Sequence, residues 1–156
     1  MNDSSEHARK HAAGIARLAM AKGLTIGAAE SLTSGAIASA LGEAEEASSW
    51  FRGAVVAYSS QVKFDVLGVA PGPVVTAECA AQMARGAREL LGADWAVAVT
   101  GAGGPGTEEG QPPGTVYFAV AGPDGAQVQH RLLHGDPGDV VVETVERALE
   151  MLLGEL

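Results

Sequence analysis

The run Ala29-Glu30-Ser31-Leu32-Thr33-Ser34-Gly35 stands between an apolar segment and a helix-forming one. A hydroxyl at a strand end, next to the first N–H groups of a helix, can act as a nucleophile beside donors for an oxyanion or a phosphate. The competing use of Ser31, Thr33 and Ser34 is to cap that helix. Tyr58 and Lys63 form a second constellation. The chain has only three lysines, and Lys63 falls in the first turn of a predicted helix, the end where the dipole disfavours a cation. That placement and partial burial both lower an amine's pKa, which makes a neutral lysine available as a general base. The competing reading is a solvated surface lysine.

A third candidate is Gly101-Ala102-Gly103-Gly104-Pro105-Gly106, which matches G-x-G-x-x-G after a predicted strand. A dinucleotide site needs a helix to open directly after the glycines. Pro105, Gly110, Pro112 and Pro113 forbid one, so a Rossmann site is rejected, leaving a loop whose backbone N–H groups can face an anion. His7 and His11 lie four apart on a predicted helix, and His130 and His134 share one face of a predicted strand. No carboxylate or cysteine completes a zinc set around either pair, so no metal is expected. Glu143, Glu146, Arg147 and Glu150 read as a solvated helix face.

The elements that must position these residues alternate in type. Ala8, Ala12, Ile15 and Ala19 predict a helix over 5–22, stopped by Gly23. Strands are expected at 25–29, 53–58 and 94–100. A helix over 33–41 should bury Ala36, Ile37, Ala40 and Leu41. Ser59 or Ser60 should cap a short helix carrying Val62, Val66 and Leu67, and Thr76 a longer one whose apolar face is Cys79, Met83, Ala87 and Leu90. Pro71, Gly72 and Pro73 separate the two, and 101–113 is a Gly- and Pro-rich loop with Glu108 and Glu109. Strands 114–121 and 126–134 flank Gly122-Pro123-Asp124-Gly125 and should form an antiparallel hairpin. Val141, Val145, Ala148, Leu149 and Leu152 mark a last helix ending near Gly154. This order predicts a three-layer α/β/α fold with a mixed sheet of about five strands, as one domain over 1–156.

The composition is consistent with that picture and excludes other classes. The chain has 156 residues, 47% hydrophobic, with 21 glycines and seven aromatic side chains. A core of Ala, Val, Leu and Ile in closely approaching layers is therefore expected. A net charge of −9, from 19 acidic against 10 basic residues, argues against a nucleic-acid partner, which would need clustered cations. One cysteine, Cys79, excludes a disulfide framework. A polar N-terminal segment and the absence of an 18-residue apolar run lead us to expect a cytoplasmic protein without a membrane association.

Taken together, AESLTSG, VVAYSSQVKFDVLGV, AVTGAGGP and PPGTVYFAVAG, in that order and spacing, resemble the CinA C-terminal domain family, over about Ala8 to Leu152. That family includes stand-alone nicotinamide-nucleotide amidases. The resemblance implies a three-layer α/β/α homodimer that hydrolyses the carboxamide of nicotinamide mononucleotide to nicotinate mononucleotide and ammonia, without a cofactor. Carried over by position, it places Ser31, Lys63 and Tyr58 in the catalytic apparatus. The expected substrate-binding set is Glu30, Thr33, Ser34, Gly35, Thr100, Gly101, Ala102 and Gly103. Tyr58 would orient the lysine or relay a proton. The substrate phosphate has two candidate seats, the glycine loop and the helix terminus near Thr33.

The chain also departs from the family pattern. Leu32 and Ser34 replace the usual Cys and first Gly of Glu-Ser-Cys-Thr-Gly-Gly. The glycine loop is shortened and lacks the usual Asp after Gly-Pro. Pro137 and Val141 stand where arginines are usual. Two rival functions follow from these departures: an amidase for another small amide, and a catalytically weak or inactive binding or regulatory module.

Overall fold

The computed structural model describes residues 3–156; Met1 and Asn2, the first two residues of the expected 1–156 domain, lie outside the described residues. Helices and strands alternate as α1 (Asp3–Lys22), β1 (Ile26–Glu30), α2 (Ala36–Gly42), α3 (Ala47–Trp50), β2 (Phe51–Val56), α4 (Ser60–Leu67), α5 (Ala77–Leu91) and β3 (Trp95–Gly101). The chain then runs through β4 (Thr115–Gly122), β5 (Gly125–Leu132) and α6 (Pro137–Glu155). The strands form one sheet in the order β2-β1-β3-β4-β5. β1 is parallel to β2 and β3, whereas β3, β4 and β5 are successively antiparallel. This is the mixed five-stranded sheet with a C-terminal hairpin that the sequence predicts.

The two faces of the sheet differ in side-chain size. Ile26, Ala28, Val97, Val99, Val116, Phe118 and Val120 pack against α1, α2 and α6. The opposite face is Ala29, Ala96, Ala98, Ala119 and Ala121, packed against α5 and the end of α4. Strand β3 encodes this split directly, because Ala and Val alternate along it and residues 96–100 are all buried. Small residues let α5 lie close to the sheet and to α4. A Cβ on Gly86 would fall 2.0 Å from the Leu67 carbonyl oxygen, so glycine is needed where the two helices meet.

Four local expectations are corrected. The helix expected over 33–41 begins only at Ala36, because Ser34 and Gly35 adopt positive φ values of 51° and 104°. The last helix continues through Gly154 to Glu155. Leu90 and Val66, expected on buried faces, are 55% and 45% exposed, while Cys79, Met83, Ala87 and Leu67 are buried as expected. His134 lies beyond the end of β5, so it shares no strand face with His130. The short α3, which seats the buried Trp50, has no counterpart in the sequence reading.

Candidate active site

The parallel strands β1 and β3 and the end of β2 all terminate on one edge of the sheet, and an open cavity of about 520 Å³ lies there. Ligands gather at such edges because strand ends and helix starts converge on them. Its lining includes Ser31, Tyr58, Lys63, Thr100, Gly101 and Gly103 from the expected set, together with Glu108, Pro137 and Val141.

Lys63 is only 2% exposed, and its Nζ lies 3.0 Å from Ser31 Oγ. The same Nζ donates to the carbonyls of Ala57 at 2.9 Å and Tyr58 at 3.2 Å. Ser59 sets up this arrangement by accepting the Val62 N–H and capping α4, which turns Lys63 inward beneath the end of β2. Burial holds the Lys63 amine below its usual range, and Cys79, Glu108 and Glu109 pull it partly back. A neutral amine has two hydrogens and one lone pair. As an ammonium the nitrogen donates to Ser31 Oγ and to both carbonyls; once neutral, with both hydrogens on the carbonyls, its lone pair would face Ser31 Oγ and could accept the hydroxyl proton. The surface-lysine reading is thereby excluded.

Glu30 is placed elsewhere than expected. It is fully buried and does not line the cavity. Its Oε1 accepts the Thr33 hydroxyl at 2.6 Å and the N–H groups of Gly35 at 3.2 Å and Ile37 at 2.9 Å, while Oε2 accepts the Ala38 N–H at 2.9 Å. A carboxylate thus sits on the positive end of α2 and replaces a side-chain cap, which Gly35 cannot supply. The helix terminus near Thr33 is therefore filled from within, and one of the two candidate phosphate seats is closed. Thr33, Ser34 and Gly35 belong to this turn and do not line the cavity. Ser34 and Ala36 N–H groups are also committed, to the carbonyls of Ser31 and Thr33. Only Leu32 and Thr33, among the first N–H groups after Ser31, lack an acceptor among the described residues.

Tyr58 meets Lys63 through its carbonyl, and the residue is 69% exposed at the cavity wall. The expected orienting role thus falls to the backbone. Thr100 donates its hydroxyl to the Val74 carbonyl at 2.8 Å. Ala102 is buried and paired through its N–H with the Thr115 carbonyl, behind the lining. Gly101 is a close-approach position, since a Cβ there would fall 2.4 Å from the Thr115 carbonyl oxygen. Glu109 accepts the N–H groups of Val74 and Val75 at 2.8–3.0 Å and fastens the glycine loop to the chain entering α5. Sequence reasoning noted this acid without a role; the only signal was its place in an otherwise Gly- and Pro-rich loop.

The departures at the start of α6 also reach the cavity. Pro137 and Val141 lie one turn apart on α6 and both line it. Asp136 caps this helix through the Asp139 N–H in a reciprocal capping box. Away from the cavity, His7 Nδ1 lies 3.0 Å from Glu146 Oε1 and the His130 ring stacks on Tyr117. No cluster of three metal-ligating side chains occurs among the described residues.

A three-layer α/β/α domain with a buried serine–lysine contact at the carboxyl ends of its parallel strands is the class defined by this geometry. The chain belongs to the CinA C-terminal domain family, whose pattern matches residues 8–156. It is 41% identical over 149 residues to a CinA-like protein of Geotalea daltonii, covering 91% of this chain and 36% of the relative. A putative competence-damage inducible protein of Bacillus pumilus is 37% identical, over 86% of this chain and 33% of its own length. The chain thus spans about a third of the length of the curated relatives it matches. Among solved structures, a competence-damaged protein (CinA) superfamily protein from Escherichia coli superposes with a TM-score of 0.94 at 32% identity, covering 100% of this chain and 94% of that one. The competence damage-inducible protein A of Klebsiella pneumoniae gives 0.91 at 33% identity, over 95% and 96% of the two chains.

Proposed function

We propose that this protein hydrolyses the carboxamide of nicotinamide mononucleotide by a serine–lysine mechanism. The observation that carries the reading is the 3.0 Å contact between a buried Lys63 Nζ and Ser31 Oγ on the wall of an open cavity. Ser31 Oγ attacks the carboxamide carbon as its proton passes to Lys63 Nζ. Lys63 then returns that proton to the departing nitrogen, and ammonia leaves an acyl ester on Ser31. Water attacks the ester, Lys63 takes its proton and gives it back to Ser31 Oγ, and the nicotinate product departs. The N–H groups of Leu32 and Thr33 are the donors for the negative oxygen of each tetrahedral intermediate. The reading includes the homodimer and the cytoplasmic setting expected from the sequence; no helix among the described residues is long and apolar enough to cross a membrane.

The deciding experiment incubates the purified protein with nicotinamide mononucleotide and follows ammonia and nicotinate mononucleotide together. Both products should accumulate at equal rates, and both should vanish in Ser31→Ala. Products that persist in the folded Ser31→Ala protein would overturn the reading. Sedimentation of the same preparation tests the dimer.

A further inference from the structure

The cavity carries almost no charge. Apart from Tyr58, its ionisable lining residues are Lys63 and Glu108, and no arginine is among them. Lys63 is committed to Ser31 and two carbonyls. Glu108 is exposed, and its carboxylate enters no ion pair or hydrogen bond among the described residues. Its backbone is nevertheless fixed. Glu108 and Gln111 exchange N–H and carbonyl bonds at 3.1 and 2.9 Å, closing a tight turn over Glu109 and Gly110, and Glu109 anchors that turn to Val74 and Val75. An unpaired anion is thus held on the cavity rim by a rigid hairpin tip. On the same cavity stands Tyr58, an aromatic residue that is 69% exposed. A carboxylate and an open aromatic face are the groups that recognise a delocalised cation. An anion there meets repulsion from Glu108 and finds no free cationic side chain.

We propose that Glu108, with the Tyr58 ring, selects amides carried on a cationic heteroaromatic ring, a pyridinium carboxamide, and that this selection does not depend on a phosphate. The assignment rests on the amidase reading only for the identity of the reacting group. The cation's charge, spread over the ring, would lie between the carboxylate and the tyrosine face, while the amide points toward Ser31.

Two nearly isosteric probes test it by calorimetry on the full chain: 1-methylnicotinamide, a cation, and nicotinamide, which is neutral. The native protein should bind the cation more tightly by about threefold or more, the scale of a partly exposed ion pair. Glu108→Gln should abolish that preference and leave the affinity for nicotinamide unchanged. In the native chain the preference should shrink as salt rises, a readout that needs no substitution. Equal affinities for the two probes, binding of neither, or a preference that survives Glu108→Gln would each overturn the assignment. Ammonia release is scored separately. Cation preference without hydrolysis of any amide would refute the amidase reading alone, and hydrolysis without cation preference would refute this assignment alone.

Discussion

The carbonyl of Ala57 accepts a hydrogen bond from Lys63 Nζ at 2.9 Å, and the N–H of the same residue donates to the Glu30 carbonyl at 2.8 Å. One peptide segment therefore ties the lysine to the end of β1, where Ser31 begins. Lys63 and Ser31 are 32 residues apart in sequence, yet their separation is set by this backbone stitch and by the packing of α4. In the proposed reaction such preorganisation would remove the entropy cost of bringing the two groups together at each turnover.

Ser31→Ala and Lys63→Ala should each lower amide turnover by about a hundredfold or more, since in the proposed mechanism nucleophile and base act in one step. Groups acting as one unit are not additive, so the double variant should be little slower than either single one. Circular dichroism should show an unchanged fold. A double variant far slower than both singles would mean that the two residues work independently.

Acid–base behaviour follows from the burial of Lys63. Burial holds its amine below the usual lysine value of 10.5, with Cys79, Glu108 and Glu109 opposing that shift. Activity should therefore rise with pH through an apparent pKa below 10.5, as the ammonium loses its proton. Glu108→Gln removes one opposing anion and should move that midpoint lower. Lys63→Arg should be inactive, because a guanidinium stays protonated. Stability carries the same sign: between the folded and unfolded pKa values the unfolded chain binds more protons, so stability contributed by Lys63 grows as pH rises across that window. Urea unfolding of the native chain against Lys63→Met should show this extra slope in the native chain alone.

Glu30 acts on the site from beneath it. Glu30→Gln replaces one acceptor oxygen with an NH2 group that faces N–H donors, leaving buried donors unpaired at about 1–3 kcal/mol. The urea midpoint should fall with an unchanged m-value. Because α2 and the Ser31 turn lose their anchor, kcat should fall while the affinity for 1-methylnicotinamide holds. A change in affinity with kcat intact would show that Glu30 touches the ligand after all.

The alternation of helices and strands and the hairpin were legible because each rests on local pattern: Ala and Val alternating in β3, Gly122 and Gly125 closing a turn, Ser59 capping α4. The contact between Ser31 and Lys63, 32 residues apart, rests on no local pattern, and only the family resemblance joined the two. The role of Glu30 was hidden because a carboxylate before a helix reads equally as a ligand contact or as a cap. Only its four internal donors decide. The acid at the end of an otherwise apolar strand, next to a helix start, was the available clue. Leu90 and Val66 misled for another reason. Helical spacing marks one face, but how far the neighbouring layer extends over that face is a tertiary fact.

The start of α6 bears on how the phosphate of the proposed substrate would be treated. Pro137 and Val141, where the resemblance leads one to expect arginines, line the cavity, and Pro137 Cγ lies 3.9 Å from where a Cβ on Gly104 would be, so a cation at 137 would begin beside the glycine loop. Asp136 caps the helix through its own side chain, so replacing Pro137 leaves that cap intact. An arginine here sits at the positive end of α6, a penalty of about 0.3–1 kcal/mol. A charge-assisted hydrogen bond to phosphate, about 1.5–3 kcal/mol, outweighs it. The native protein should therefore have a high KM for nicotinamide mononucleotide and discriminate only modestly against nicotinamide riboside. Pro137→Arg should lower KM for the phosphorylated substrate about tenfold, near the middle of that net range, and leave the riboside unaffected. Steady-state kinetics on both substrates check this. A native preference for the mononucleotide of a hundredfold or more would place a cation such as Arg52 or Arg131, neither of which lines this cavity, at the phosphate.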